Sequence, residues 1–328
     1  MKRRKGVSYA KYGYLFSIPF VLGWLIFTLY PTLFTAVLGF TDSKGLTGMR
    51  SFNLLPMESL FQNFITIWNN QSFQLSLGNT MHIWVMNFIP QVLLALLLTE
   101  WFTNVSKKIR FQGFFKVCFY LPNIITAATI AILFNVLFGF PMGPINDIFV
   151  LLGMDKVNFL VNKATTRGVV SFIQFWMWYG YTMIILISGV LGINPEIFEA
   201  ANIDGASRPQ VFFRVTLPNL RTIILYMLIT SLIGGLQMFD IPRLFMLGGP
   251  DNATLTASLF IFNQAFSGSY MYARAAAASM ILFVVIAAAS VIIFFLMRDR
   301  AEALAAKQER QRIRNARRQA KLAGGQSI

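Results

Sequence analysis

The sequence predicts an all-α integral membrane protein with six spanning helices, and three observations carry that expectation. Apolar residues make up 56% of the chain and the mean hydropathy is +0.59. Only 12% of the residues are charged, against roughly a quarter in an ordinary soluble domain. The apolar residues also gather into runs near the ~20 residues needed to cross ~30 Å of hydrocarbon.

In chain order the expected spans are Tyr14 to Phe40, Thr80 to Leu98, Phe114 to Phe138, Gly168 to Leu191, Ile223 to Leu247 and Ala275 to Met297. Their glycines and prolines do not count against helices, because helices in lipid tolerate both. The start MKRRKGVSYAKYG has the charge of a secretion signal. The apolar run behind it exceeds the ~7 to 15 residues of a signal core and has no small-x-small cleavage site, so it is read as the first span. The expected organisation is a basic start over 1–13, a membrane domain over 14–297 and a basic tail over 298–328.

Charge sets the orientation. The chain holds 28 Lys and Arg against 13 Asp and Glu, a net +15. The basic residues collect at the start, at Lys107, Lys108, Arg110 and Lys116, at Arg208, Arg214 and Arg221, and in the tail from Arg298 to Lys321. Basic loops stay on the cytoplasmic side, so both termini are expected inside a bacterial or archaeal cell membrane that the chain crosses several times. The tail lacks the interleaved aromatics of single-strand binders, so anionic lipid rather than nucleic acid is its expected neighbour. Thr41 to Asn79 and Phe140 to Thr166 fall outside, as plain connectors or as docking surfaces.

Little in the chain suits catalysis. Cys118 is the only cysteine and lies in the third expected span, where it reads as a small buried hydrophobe. His82 is the only histidine, so neither a metal cluster nor a Cys–His pair can be assembled. A paired-carboxylate or triad constellation is not visible, and the pattern G-x-x-x-x-G-K-[ST] is missing, so the chain has no phosphate-binding loop of its own. No enzyme activity and no cofactor in this chain are expected.

One polar stretch, EAANIDGASRPQVFFRVTLP from Glu199 to Pro218, lies between two apolar runs on the expected cytoplasmic side. Asn194-Pro195 is a helix start, with an N-cap amide followed by a proline whose missing N–H is no loss there. Glu196 and Glu199 then suit the positive end of a helix from Pro195 to about Asp204. Gly205 permits the positive φ that stops a helix. Ser207 to Gln210 fits a capping box that starts a second helix, which Pro218 is expected to break.

The spacing E-A-A, three residues, G, nine residues, V, one residue, L-P resembles the EAA loop of binding-protein-dependent ABC importer permeases, with Val215 where isoleucine is usual. The resemblance extends to the sugar-transporting, MalF-like branch through YLFSIPFVLGWLIFTLYPTLFTAVLGFTD, the start Asn79-Thr80, FFKVCFYLPNIITAATIAILFNVLF, GGLQMFDIPRLFMLGGP and YMYARAAAASMILF. It implies the MetI-like type I permease fold. It implies that Glu199, Ala200, Ala201, Asp204, Gly205, Leu217 and Pro218 belong to a coupling loop seated in a separate ATPase subunit, which binds the ATP and Mg. A second permease subunit, usually a different chain, and an extracellular solute-binding protein are the other implied partners. Two departures stand out: Asn219-Leu220-Arg221-Thr222 lacks the proline common beyond L-P, and Arg274 interrupts a segment of small residues.

For the pathway, Gln174, Trp178 and Tyr181 fall at i, i+4 and i+7 on one helical face, which suits a sugar ring and its hydroxyls or a packed helix interface. Gln237, Phe239 and Asp240 occupy the region before Gly-Gly-Pro where that branch is implied to touch substrate. Asp240 and Arg243, three apart, are spaced for a salt bridge or for ligand binding. The expected function is sugar permeation driven by a partner ATPase. The alternative is an ion-coupled secondary transporter, which would show charges deep in several spans or an inverted repeat.

Overall fold

The computed structural model describes residues 10–50, 52–104, 110–297 and Arg314. Most of the basic start, Lys107, Lys108 and the remaining tail lie outside the described residues. Five helical stretches are long and apolar enough to cross a membrane, or six when one bent pair counts as a single span.

The first stretch comprises α1 (Ala10–Trp24) and α2 (Tyr30–Leu38), joined by a π turn over Leu25–Leu29. The turn has a local cause. Pro31 has no N–H and its ring would press on the carbonyl one turn back. The wider turn, closed by Tyr30 N–H donating to Leu25 O, opens the ladder just ahead of it. Tyr12 to Leu22 are exposed along this helix, so its apolar surface meets lipid or another subunit rather than its own fold.

A connector follows, tied at Thr41 and Leu54 by an isolated antiparallel bridge and by Asn63, whose amide donates to Gly39 O and Thr41 O at 3.0 and 2.9 Å. It contains α3 (Gln62–Trp68). The second span is longer than its apolar core predicts. Helix α4 (Gln71–Thr103) starts where the Asn70 side chain accepts Phe73 N–H at 3.1 Å, so Asn79 and Thr80 sit inside the helix and not at its start.

The third expected span is the main correction. It consists of α5 (Gln112–Ile124) and α6 (Ala127–Leu137), bent by 93°. Pro122 withdraws a donor from the last turn of α5, Ile125 and Thr126 are extended, and Thr126 caps α6 by accepting Thr129 N–H. Cys118 is exposed on α5, not buried; the face of α5 used for packing is the one around Phe119. A short α7 (Pro144–Leu151) then leads to α8 (Lys163–Leu191).

Helices α4 and α8 form the spine and run parallel. Arg167 meets Asn79, the Gln91 amide donates to Thr182 Oγ1 at 2.7 Å, and Leu98 and Phe102 share a core with Met183, Leu186 and Val190. Within lipid, close approach and interhelical hydrogen bonds of about 0.6 to 2 kcal/mol each hold such pairs. Gly180 makes the α5–α8 crossing possible, since a Cβ there would collide with the backbone carbonyl of Phe119.

After α8 come α9 (Pro195–Ile203), α10 (Arg208–Val211) and a second π turn over Phe212–Thr216. The chain then continues through α11 (Leu217–Asn219) into α12 (Arg221–Leu236). The helix passes through Pro218 and ends one residue later, with a turn at Leu220 before α12 begins. The π turn, closed by Leu217 N–H donating to Phe212 O, absorbs Pro218 as the earlier one absorbs Pro31.

The fifth span is interrupted at Gln237 to Phe239 before α13 (Asp240–Met246). Two further helices, α14 (Ala257–Phe266) and α15 (Tyr272–Met297), complete the described fold. The run Ala275 to Ala278 on α15 is buried, and these small residues let α15 approach its neighbours α2, α12 and α14 closely.

Candidate functional site

Two regions collect the residues singled out by sequence. The first is the segment after α8. Asn194 caps α9 by accepting Glu196 N–H at 3.1 Å. The helix ends at Asp204, and Gly205 follows with φ of 71°. Ala206 N–H donates to Ala201 O and Gly205 N–H to Asn202 O, the paired bonds of a Schellman ending. Ser207 and Gln210 then form the capping box, with Ser207 N–H donating to Gln210 Oε1 at 2.7 Å.

The result is a stiff helix–turn–helix with a bare outer side. Glu199, Ala200, Asp204, Gly205 and Pro218 are exposed, Ala201 and Leu217 are half-buried, and nothing lies within 4 Å of a Cβ built on Gly205. Phe198 packs inward against the core that contains Val190 and Leu220. Ile203, 86% exposed beside the turn, is an apolar contact point that the sequence reading missed. Its signal was present as a branched apolar residue one turn after Glu199, on the side away from Phe198.

The second region is a cavity of about 330 Å³ between α4, α8 and α12, closed at one side by the interruption before α13. All six residues expected for a pathway, Gln174, Trp178, Tyr181, Gln237, Phe239 and Asp240, line it. Helical periodicity explains the convergence: Gln174, Trp178, Tyr181 and Ile185 share one stripe of α8, and Met227, Thr230, Ser231 and Gly234 share one of α12. The α12–α13 interruption then turns Gln237 and Asp240 onto the same space.

Helix α4 supplies a third wall that the sequence reading did not include, through Trp84, Asn87 and Gln91. Their i, i+3, i+7 spacing inside an apolar run was the available signal. Trp84 rests against Gly235, where any Cβ would overlap the indole, and donates from Nε1 to Ser231 Oγ at 3.3 Å. The cavity's polar groups are only partly committed. Asn87 donates to Ile83 O at 2.9 Å, leaving its carbonyl oxygen. Gln174 is 8% exposed and lines the cavity, and it is not among the buried polar side chains left without a partner, which among the described residues are Ser171 and Ser290. Its amide can therefore meet whatever enters the cavity.

Asp240 and Arg243 do not pair. Among the described residues the one ion pair joins Lys163 to Asp251 at 3.7 Å. The Arg243 guanidinium instead stacks on Phe262, 5.0 Å from the ring centroid. One turn of helical spacing allowed the pair, but the desolvated aromatic face holds the cation.

At the end of the bundle opposite the helix–turn–helix, Arg167 ties the loop after α13 to the spine. It donates to Ala253 O at 2.9 Å and to Asn79 Oδ1 at 2.5 Å, while Asn79 donates to Asn252 O and Leu255 O. The loop needs this support, since Leu247, Asp251 and Asn252 all hold positive φ. Arg274 is exposed at the start of α15, between the buried Ala273 and Ala275.

A polytopic helical protein with a partly polar cavity between its helices and a protruding capped loop is built for moving a solute. Residues 69–303 match the family described as "Binding-protein-dependent transport system inner membrane component", and the chain belongs to that family. It is 32% identical over 258 residues to the lactose transport system permease protein LacF of Rhizobium radiobacter, covering 77% of this chain and 83% of that one. It is 30% identical over 267 residues to the arabinooligosaccharides transport system permease protein AraP of Bacillus subtilis, covering 80% and 81%. Among solved structures, a bacterial ABC transporter involved in import of the acidic polysaccharide alginate has the same fold. Its TM-score is 0.73 at 22% identity, with 87% of this chain and 94% of that chain covered. The membrane location and dependence on a binding protein follow from the family; which face binds which partner does not.

Proposed function

We propose that this chain is a permease subunit of an ATP-driven importer and that the cavity between α4, α8 and α12 is its sugar pathway. The convergence of the six expected residues on one cavity, with the Gln174 amide among flat aromatic rings, is the observation that carries this reading. Aromatic faces suit the apolar side of a sugar ring and amides suit its hydroxyls. The relatives named for lactose and arabinooligosaccharide transport support a sugar over other solutes.

The exposed loop from Pro195 to Pro218 is the contact for a separate ATPase subunit. Its rigid ends and two alanines suit a lever in a close-fitting socket. The placement of Lys and Arg supports a cytoplasmic position for this loop and both termini. A second permease, a different chain, completes the pathway, and the segments between Thr41 and Gln71 and around Phe140 to Thr166 receive the solute-binding protein.

The test is uptake into proteoliposomes that contain this chain, the second permease, the ATPase and the binding protein encoded beside it. The expected result is ATP-dependent sugar accumulation that Trp178→Ala reduces about tenfold or more, the loss of one well-formed stacking contact. Uptake driven by an ion gradient without the ATPase would establish the secondary-transporter reading instead.

A further inference from the structure

The cavity's lining is neutral with one exception. Asp240 is the only charged residue among the described residues that line it. The cation nearest in sequence, Arg243, does not line the cavity and is held on Phe262. The described ion pair, Lys163 to Asp251, involves neither residue. The remaining polar groups, including Asn87, Gln91, Gln174, Thr182, Thr230 and Gln237, are uncharged. From this chain, a solute in the cavity therefore meets the exposed Asp240 carboxylate and no cation among the described lining residues.

We propose that Asp240 makes the pathway a charge filter that admits uncharged saccharides and rejects uronates and sugar phosphates. The proposal rests on the sugar reading above. Its charge preference follows from Coulomb repulsion: two carboxylates ~5 Å apart in a medium of effective dielectric ~20 disfavour each other by on the order of a hundredfold in affinity. The electron-rich faces of Trp178 and Tyr181 offer an anion no compensation. The fold does not set this preference, since one solved transporter of the same fold is involved in import of an acidic polysaccharide. The residues that line the cavity set it.

The experiment uses the assembled transporter without its binding protein, so that only the permease cavity selects. Saturation-transfer NMR titrations compare a panel of neutral disaccharides with the same disaccharides oxidised to uronates at C6. The expected result is that a neutral disaccharide binds, its uronate binds on the order of a hundredfold more weakly, Asp240→Asn brings the ratio near one and Asp240→Glu preserves it. Equal binding of the neutral and oxidised forms by the native complex overturns the filter and leaves the sugar pathway standing. A ratio that survives in an assembled Asp240→Asn complex also overturns it. If no neutral disaccharide binds the native complex, the sugar reading falls and the filter with it.

Discussion

Gly205 illustrates how much a single position can demand. Its φ of 71° lies where a Cβ costs about 1 to 2 kcal/mol, yet the space around it is open. Gly205→Val should therefore leave insertion intact while distorting the turn that presents α9. The expected outcome is loss of solute-stimulated ATP hydrolysis by about tenfold or more, with Gly205→Asn milder because asparagine tolerates the left-handed region. Unchanged stimulation in the valine variant would remove the coupling role. This site was legible in sequence because each device closes within five residues: the Asn194 cap, the glycine turn and the Ser207–Gln210 box. The α4 side of the cavity was not, since Trp84, Asn87 and Gln91 join it only through tertiary packing. The absent Asp240–Arg243 pair is the same lesson, because spacing allows a contact and the surrounding rings decide it.

At the scale of elements, the loop between α13 and α14 depends on Arg167. Removing its side chain leaves the Asn79 and Ala253 oxygens without their charged donor, a loss of about 1.5 to 3 kcal/mol for such bonds. Arg167→Leu should raise hydrogen exchange at Gly248 to Leu255 by on the order of tenfold or more, while exchange along α9 stays as it was. Equal exchange in both proteins would mean that the positive-φ residues hold the loop unaided. Helix existence was readable from apolar run length, but helix continuity was not. Pro122 ends a helix within two residues because Thr126 is present to cap the next one. Pro218 sits inside a helical turn because the preceding π turn accommodates it, and the break falls at Leu220 instead.

For the whole molecule, orientation is the property that remains to be measured, and the native Cys118 must first be replaced by serine because it is exposed. Single cysteines at Ser207 and Asp251 should then react with a membrane-impermeant maleimide from opposite faces, Ser207→Cys only from the cytoplasm and Asp251→Cys only from outside. The reverse pattern would invert every assignment of partner to surface. The two positions report on the ends of one parallel pair, α4 and α8, so a single inversion cannot affect one alone. The π turn at Phe212–Thr216 has a further bearing on this arrangement. An α-helix advances about 100° with each residue, so the additional residue held in that turn fixes the angular phase between α9 and α12. Deleting one residue there should turn α10 by up to about 100° relative to α11, while Phe198 keeps α9 on the core and the cavity wall stays in place. The link between loop and cavity is in this sense a matter of counting residues, and a one-residue deletion can change how the loop is presented while sparing the cavity wall.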